Sequence, residues 1–220
     1  MKKAIIFDLD GTLLNTLDDL ADSVNATLEY MNFPRRTLEE IRRFVGNGMR
    51  QLINHAVPQA IPEAKIEETF DYFCKYYFAH CNEKTSPYDG IMQMLDESIK
   101  QNYKLAVVSN KRDEAVKELC KQYFDMIEVV SGDKPGINRK PAPDGIENVL
   151  KQLDCKKSEA IYVGDSEVDI LTARNAGIDC ISVTWGFRTE RELLNNGAIY
   201  LISHPDELLD EIRKFTNKQS

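Results

Sequence analysis

The sequence predicts an α/β fold, a doubly wound parallel sheet with an inserted all-helical cap domain. Three observations carry this reading. Short apolar runs of strand length alternate with amphipathic stretches of helix length. Several of the runs end abruptly in polar residues, beginning with Ala4-Ile5-Ile6-Phe7 before Asp8. Between the first and second runs lies a block with helical periodicity and no convincing strand. Residues 1–15 and 86–220 then form the α/β core, and residues 16–85 the cap.

Residues 4–7 are too few for a helix and read as a fully buried central strand. Leu17, Leu20, Val24, Leu28 and Met31 recur every three or four positions, an amphipathic helix ending near Asn32-Phe33-Pro34. Thr37-Leu38-Glu39-Glu40 has the form of a capping box and opens a helix through Ile41 and Phe44. Val45-Gly46-Asn47-Gly48 interrupts it, and helix resumes over residues 49–57. An aromatic-rich helix over residues 66–78 turns Phe70, Phe73 and Tyr77 towards a core. Residues 86–90 form a loop back to the α/β domain. A helix over 91–101 precedes a second strand at 104–108, closed by Ser109-Asn110-Lys111. The next helix runs from Asp113, an acid suited to a first turn, to Gln122. Ile127, Val129 and Val130 mark a third strand within residues 124–130. Pro135-Gly136 and Arg139-Lys140-Pro141-Ala142-Pro143 make a loop before a helix over 146–153. A fourth strand at 160–163 runs into Gly164-Asp165-Ser166-Glu167-Val168-Asp169, and a helix over 170–176 stops at Gly177. A fifth strand at 180–184 leads to Trp185-Gly186-Phe187-Arg188. Residues 193–197 and 200–202 and a helix over 205–215 complete the chain.

The formal net charge of -8 argues against nucleic acid or an anionic membrane as a partner. An anionic substrate would need a local positive site, so the few well-placed basic residues matter. Met1-Lys2-Lys3 leads straight into a four-residue apolar run, too short for a signal peptide, and nothing approaches a membrane span. Cys74, Cys81, Cys120, Cys155 and Cys180 are scattered and form no CxxC pair, which points to reduced thiols, with Cys180 in the core. The expectation is a soluble cytoplasmic protein. His55, His80 and His204 stand apart from one another without metal-ligand spacing and receive no role.

If strands one, two and four are neighbours, their polar carboxyl ends converge, where ligands bind in open α/β sheets. Asp8 and Asp10 repel one another unless a cation or proton lies between them. An acidic turn is the plain alternative, because Asp-Gly is common turn chemistry. A carboxylate attacking phosphorus makes an aspartyl-phosphate. A second carboxylate can protonate the leaving oxygen and then activate water. The spacing does not assign which aspartate does which. Thr12 offers a hydroxyl or main-chain contact to phosphate, or serves only the turn. Asp165 could join Asp8 in holding a hard divalent ion, or cap a helix. Asp169, about one helical turn on, suits orienting a water or Lys140. Lys140 in its proline-stiffened loop suits balancing charge on a transferring phosphoryl group. Ser109 and Asn110 offer a hydroxyl, an amide and main-chain N–H groups to phosphate oxygens, or cap a helix. In Gly46-Asn47-Gly48-Met49-Arg50, glycines permit a turn with exposed N–H groups, and Arg50 could clamp a carboxylate or second phosphate. A simple break in a helix explains that loop equally well.

Asp8-Leu9-Asp10-Gly11-Thr12 after a first strand, then Ser109, Lys140-Pro141 and Gly164-Asp165 with Asp169, resembles the motif series of the haloacid dehalogenase (HAD) superfamily. Most of its members are Mg-dependent phosphohydrolases, and the likeness is to the phosphoglycolate phosphatase-like branch. It spans essentially the whole chain. The resemblance implies a HAD-like, Rossmann-type core, with Asp8 as nucleophile and Asp10 as general acid and base. It also implies Mg²⁺ held by Asp8, Asp165 and the backbone carbonyl of Asp10, with Lys140 beside the phosphate. Asn15 stands where the family often has Asp, at a position that is not catalytic.

The implied function is a Mg²⁺-dependent phosphatase of a small anionic phosphomonoester such as phosphoglycolate, acting as a monomer or weak homodimer. A β-phosphoglucomutase-like enzyme or a pyrophosphatase would use the same chemistry. Haloacid dehalogenases proper lack the second aspartate, present here as Asp10. Phosphonatases need a lysine early in the cap, and none occurs between Ala4 and Ala64. A non-catalytic phosphate-binding protein is the rival of another class, but a binder has no need of a leaving-group acid.

Overall fold

The structure is a computed structural model that describes residues 2–217; Met1 and residues 218–220 of the expected core segments lie outside it. In chain order the elements are β1 (Ala4–Phe7), β2 (Leu14–Asn15), α1 (Leu17–Tyr30), α2 (Leu38–Phe44), α3 (Met49–Ala56), α4 (Glu63–His80), β3 (Ser86–Pro87) and α5 (Ile91–Lys100). They continue with β4 (Lys104–Arg112), α6 (Asp113–Tyr123), β5 (Val129–Asp133), α7 (Asp144–Gln152), β6 (Ala160–Gly164), α8 (Glu167–Ala176), β7 (Asp179–Val183), α9 (Glu190–Asn195), β8 (Tyr200–Ile202) and α10 (Leu208–Asn217). The chain divides into two compact units, Met1–Leu13 with Pro87–Ser220, and Leu14–Ser86.

The first unit is a six-stranded sheet in the order β5-β4-β1-β6-β7-β8 with parallel pairing throughout. β1 lies between β4 and β6, with Ile6 opposite both Ala106 and Tyr162. Every residue of β1 is buried, as a strand covered on both faces must be. Alternation of side chains sends Ala4, Ile6, Ala106, Val108 and Tyr162 to one face, where Ile146, Val149, Ala173 and Ala176 of α7 and α8 complete a core. Cys180 is half-buried against this cluster, and none of the five cysteines forms a disulfide. Because β1 is flanked by strands that follow it at different points of the chain, the carboxyl ends of β1, β4 and β6 meet in one place.

Several elements differ from the expectation, each for a local reason. β4 does not stop at Val108; it continues to Arg112, which pairs with Asp133 after a register irregularity. The third core strand does not begin near Phe124. The Phe124 N–H bonds to Cys120 O and closes α6, Ile127 N–H bonds to Phe124 O in a turn, and β5 starts only at Val129. α8 begins at Glu167 instead of residue 170, because Ser166 and Asp169 form a cap there. Thr189 and Glu192 make a capping box that opens α9, a signal of the same kind as at Thr37. Leu14–Asn15 and Ser86–Pro87 pair as two short strands where only loop was expected.

The second unit is helical. Thr37 Oγ1 accepts from Glu40 N at 3.2 Å and Glu40 Oε2 accepts from Thr37 N at 2.8 Å, the expected capping box. α4 is longer than its aromatic core requires, opening just after Pro62. Leu20, Val24 and Leu28 of α1, Ile41 of α2, Leu52 and Ile53 of α3, and Phe73 and Tyr77 of α4 form a separate apolar core. Phe73 and Tyr77 stack with ring centroids 5.5 Å apart. Among the described residues, no helix is long and apolar enough to cross a membrane.

Phe73 is fully buried in that small core. Phe73→Ala is therefore expected to destabilise the helical unit by about 3–5 kcal/mol. Urea denaturation followed by far-UV circular dichroism checks this. A loss under about 1 kcal/mol would mean that the four helices can close the cavity by collapsing, contrary to a rigidly packed interior.

Candidate active site

The acids and the lysine singled out in the sequence converge at the carboxyl ends of β1, β4 and β6. Asp8 follows β1, and its N–H bonds to Val163 O at 2.9 Å, continuing the ladder with β6. Lys140 arrives from the loop before α7. Its Nζ lies 2.8 Å from Asp8 Oδ1, 2.8 Å from Asp169 Oδ1 and 3.1 Å from the Tyr162 hydroxyl. Asn110 fixes the lysine's main chain: Lys140 N donates to Asn110 Oδ1 at 2.8 Å, and Asn110 Nδ2 donates to Lys140 O at 3.1 Å. The amide expected to face a phosphate thus holds the lysine loop. Ser109 Oγ accepts the Lys111 N–H at 3.2 Å.

Asp169 is wholly buried at the start of α8. One of its oxygens takes Lys140, and the other accepts from Ser166 N at 3.0 Å and Ser166 Oγ at 2.6 Å. Asp165, on the turn between β6 and α8, is not the helix cap; Ser166 has that position. Asp165 Oδ2 accepts the Phe187 N–H at 2.7 Å, and its Oδ1 accepts from Thr12 Oγ1 at 3.2 Å. Thr12 therefore anchors an acid of the site. Its carbonyl in turn accepts from Trp185 Nε1 at 3.0 Å.

This crowding needs glycine at two places. Gly11 has φ +90, and a Cβ there would lie 2.5 Å from Asp165 Oδ2. A Cβ on Gly186 would collide with both Asp165 and the carbonyl of Gly11.

The electrostatics follow from burial. Asp8 and Asp169 share the Lys140 ammonium, Asp165 lies close to both acids, and all four groups are largely buried. Burial pushes the Asp8 carboxyl well above the ordinary range; Lys140 pulls it down, and Asp169 and Asp165 push it further up. Asp165 is pushed up to about 7, by burial first and then by Asp169, with the Phe187 N–H and Arg188 opposing. Burial works against the charged form of Lys140, but Asp169 and Asp8 outweigh it and hold the ammonium well above its usual range. The site is short of positive charge.

A divalent cation would answer that shortage. One oxygen each from Asp8, Asp165 and Asp169 can be chosen so that all three lie within 4.8 Å of one another. The donors are hard carboxylate oxygens, suited to a hard metal ion. Asp169 is engaged on both oxygens by Lys140 and Ser166, and Asp165 on both by Thr12 and Phe187, so an ion held by Asp8 and Asp165 would share the Asp165 oxygens with those donors.

Two expected residues stand elsewhere in character. Asp10 does not join the three-acid cluster; its Oδ1 takes Lys111 Nζ at 2.7 Å. Arg50 belongs to the helical unit, where its guanidinium reaches Glu67 at 2.6 Å and Glu63 at 2.8 Å and stacks over Phe70. Sequence reasoning passed over Tyr162, Lys111 and the Trp185–Phe187 turn. Tyr162 reads as one more apolar strand residue, although its hydroxyl accepts from Lys140 and lies 3.1 Å from Val108 O and 3.2 Å from Asp169 Oδ1. A Trp-Gly-Phe step immediately after a core strand was the available signal for the turn.

Residues 5–183 match the family model of the haloacid dehalogenase-like hydrolases. The chain is 32% identical over 224 aligned positions to a phosphoglycolate phosphatase of Vibrio parahaemolyticus, covering 96% of this chain and 92% of that one. Among solved structures it is similar to a protein of Lactobacillus delbrueckii subsp. bulgaricus provisionally named a phosphoglycolate phosphatase. There the TM-score is 0.92 at 35% identity, over 96% of this chain and 99% of the other. A haloacid dehalogenase-like family hydrolase of Streptococcus pneumoniae superposes with TM-score 0.86 at 25% identity, over 96% and 98% of the two chains.

The elevated Asp165 has a consequence for stability. Its carboxyl rises from an ordinary 3.8 to about 7 in the fold. Between those values the native chain holds a proton that the unfolded chain releases, so this contribution to stability is lost as pH rises through the window. In metal-free buffer, Asp165→Asn is expected to gain melting temperature relative to the wild type between about pH 4 and pH 8. Parallel curves for the two proteins would show Asp165 ionised throughout.

Proposed function

The chain belongs to the haloacid dehalogenase-like hydrolase family, and from that premise we propose that it is a Mg²⁺-dependent phosphatase of small phosphomonoesters, phosphoglycolate among them. The observation that carries this reading is the buried set of Asp8, Asp165 and Asp169, with Lys140 paired to Asp8 and Asp169. Such a set suits a divalent ion and a dianionic phosphoryl group together, and the named relatives support the choice of substrate.

An Asp8 oxygen attacks phosphorus, a P–O(Asp8) bond forms, and the ester P–O bond breaks. Asp10 gives a proton to the leaving oxygen and later takes one from the water that attacks the aspartyl-phosphate. That second attack breaks the P–O(Asp8) bond, releases inorganic phosphate and restores both aspartates. Lys140 offsets the charge that gathers on the phosphoryl oxygens. Asp8, Asp165 and the Asp10 carbonyl would hold Mg²⁺, which would supply further neutralisation and orientation. Ser109 and Thr12 border the phosphate position. The helical unit acts as the cap domain and selects the leaving group. The enzyme works in the cytoplasm on small anionic metabolites.

Asp8→Asn is expected to abolish phosphate release from phosphoglycolate and from para-nitrophenyl phosphate, and to leave the fold intact. It keeps the shape and removes the attacking oxygen. Activity within about tenfold of the wild type on purified protein would falsify the nucleophile assignment. EDTA is expected to silence the wild type and Mg²⁺ to restore it.

Arg50 can recognise a substrate carboxylate by exchanging one of its glutamates for the ligand, since Glu63 and Glu67 are both exposed. Arg50→Ala is then expected to lower kcat/KM on phosphoglycolate about tenfold to a hundredfold more than on para-nitrophenyl phosphate. Equal effects on the two substrates would assign Arg50 to tying α3 to α4.

A further inference from the structure

Lys111 has no part in the mechanism above, yet its side chain is buried against the site. Its Nζ lies 2.7 Å from Asp10 Oδ1, with the two side chains 5% and 16% exposed. It stands on the polar extension of β4, where Ser109 Oγ accepts its main-chain N–H at 3.2 Å. The lysine therefore projects from the irregular end of β4, with its main chain tied back to Ser109.

The other acids of the site each have an anchor. Asp8 and Asp169 share Lys140, and Asp165 is held by Phe187 N–H and Thr12. Asp10 is followed by Gly11 at φ +90, a sharp departure from strand geometry, and the side-chain partner of its carboxylate is Lys111. A buried ion pair is weak grounds for stability, because an apolar pair of the same size often does as well. As with Lys140 between Asp8 and Asp169, the pair points to placement of the carboxylate.

We propose that Lys111 is a positioning residue: its ammonium holds the Asp10 carboxylate where the leaving oxygen of an alkyl phosphate must be protonated. This rests on the phosphatase reading and on Asp10 as its acid. Misplacing a catalytic group by about 1 Å can cost about a hundredfold in rate. The loss falls on substrates whose leaving group needs the proton. Para-nitrophenolate leaves without one.

The test compares wild type, Lys111→Met and Lys111→Arg on three substrates: phosphoglycolate, 2-hydroxyethyl phosphate and para-nitrophenyl phosphate. kcat/KM is the readout, since it covers steps up to the first phosphoryl transfer. Lys111→Met is expected to lower kcat/KM on both alkyl phosphates by about tenfold to a hundredfold, and on para-nitrophenyl phosphate by less than about threefold. Lys111→Arg, which keeps the charge, is expected to recover part of the loss. Should Lys111→Met fail to fold, Lys111→Gln retains a donor to Asp10 and is expected to show the same split to a smaller extent. Equal losses on all three substrates would overturn the proposal in favour of a structural role. A loss confined to phosphoglycolate would overturn it in favour of Lys111 binding the substrate carboxylate. A wild type that hydrolyses none of the three would instead overturn the phosphatase reading, which separates the two failures.

Discussion

The structure depends on one ammonium group shared between two buried carboxylates. Lys140 Nζ is 2.8 Å from both Asp8 and Asp169, inside a space where an unpaired charge of either sign is heavily penalised. Ion pairs at a protein surface are worth little, but here removal of either partner strands the others without solvent. A third acid, Asp165, leaves the cluster with more negative charge than the lysine can balance. A divalent cation would relieve that imbalance, and the three acids have oxygens close enough together to hold one.

Much of the surrounding structure serves to hold those groups in place. Asn110 grips the main chain of Lys140 from β4, while Tyr162 on β6 sets its hydroxyl among Lys140, Val108 O and Asp169. The hydroxyl has a single proton and accepts from the ammonium, so it gives that proton either to the Val108 carbonyl or to Asp169. The Asp169 side chain does double service, capping α8 through Ser166 and receiving Lys140. Helix start and site are therefore one construction. The missing side chains of Gly11 and Gly186 are part of it, since a methyl group at either would occupy the position of Asp165.

The helical unit obeys a simpler rule. Its stability comes from a single apolar core contributed by four helices, and its ends are set by capping and by Gly46 and Gly48. Arg50 lies between α3 and α4 in reach of Glu63 and Glu67, a charge-assisted contact on a surface that water still enters. Exchange of such a contact for a ligand carries a small penalty, because the released glutamates are solvated.

Legibility followed the range of the interactions. Residues 4–7 as a buried strand, the helix after Thr16, the capping box at Thr37 and the glycine stop at Gly177 were readable because each is decided within a few residues. Asp8 and Asp165 were readable because polar residues closing apolar strands are a local anomaly, whereas Lys140 in its loop and Asp169 in α8 stood out through the motif resemblance. The polar stretch 109–112 misled, since its extended form comes from pairing with β5 and not from its own composition. Tyr162, Lys111 and the Phe187 N–H could be recognised only when β1, β4 and β6 were side by side, for each owes its role to partners 20 to over 100 residues away. By itself, then, the sequence determined the alternation of strand and helix and the acids that close β1 and β6. Only tertiary structure decided which acid shares the lysine, which one Lys111 holds, and where Asn110 and Arg50 spend their hydrogen bonds. The reason is physical: propensity and capping act along the chain, whereas burial, charge balance and hydrogen-bond partners exist only between segments that folding has brought together.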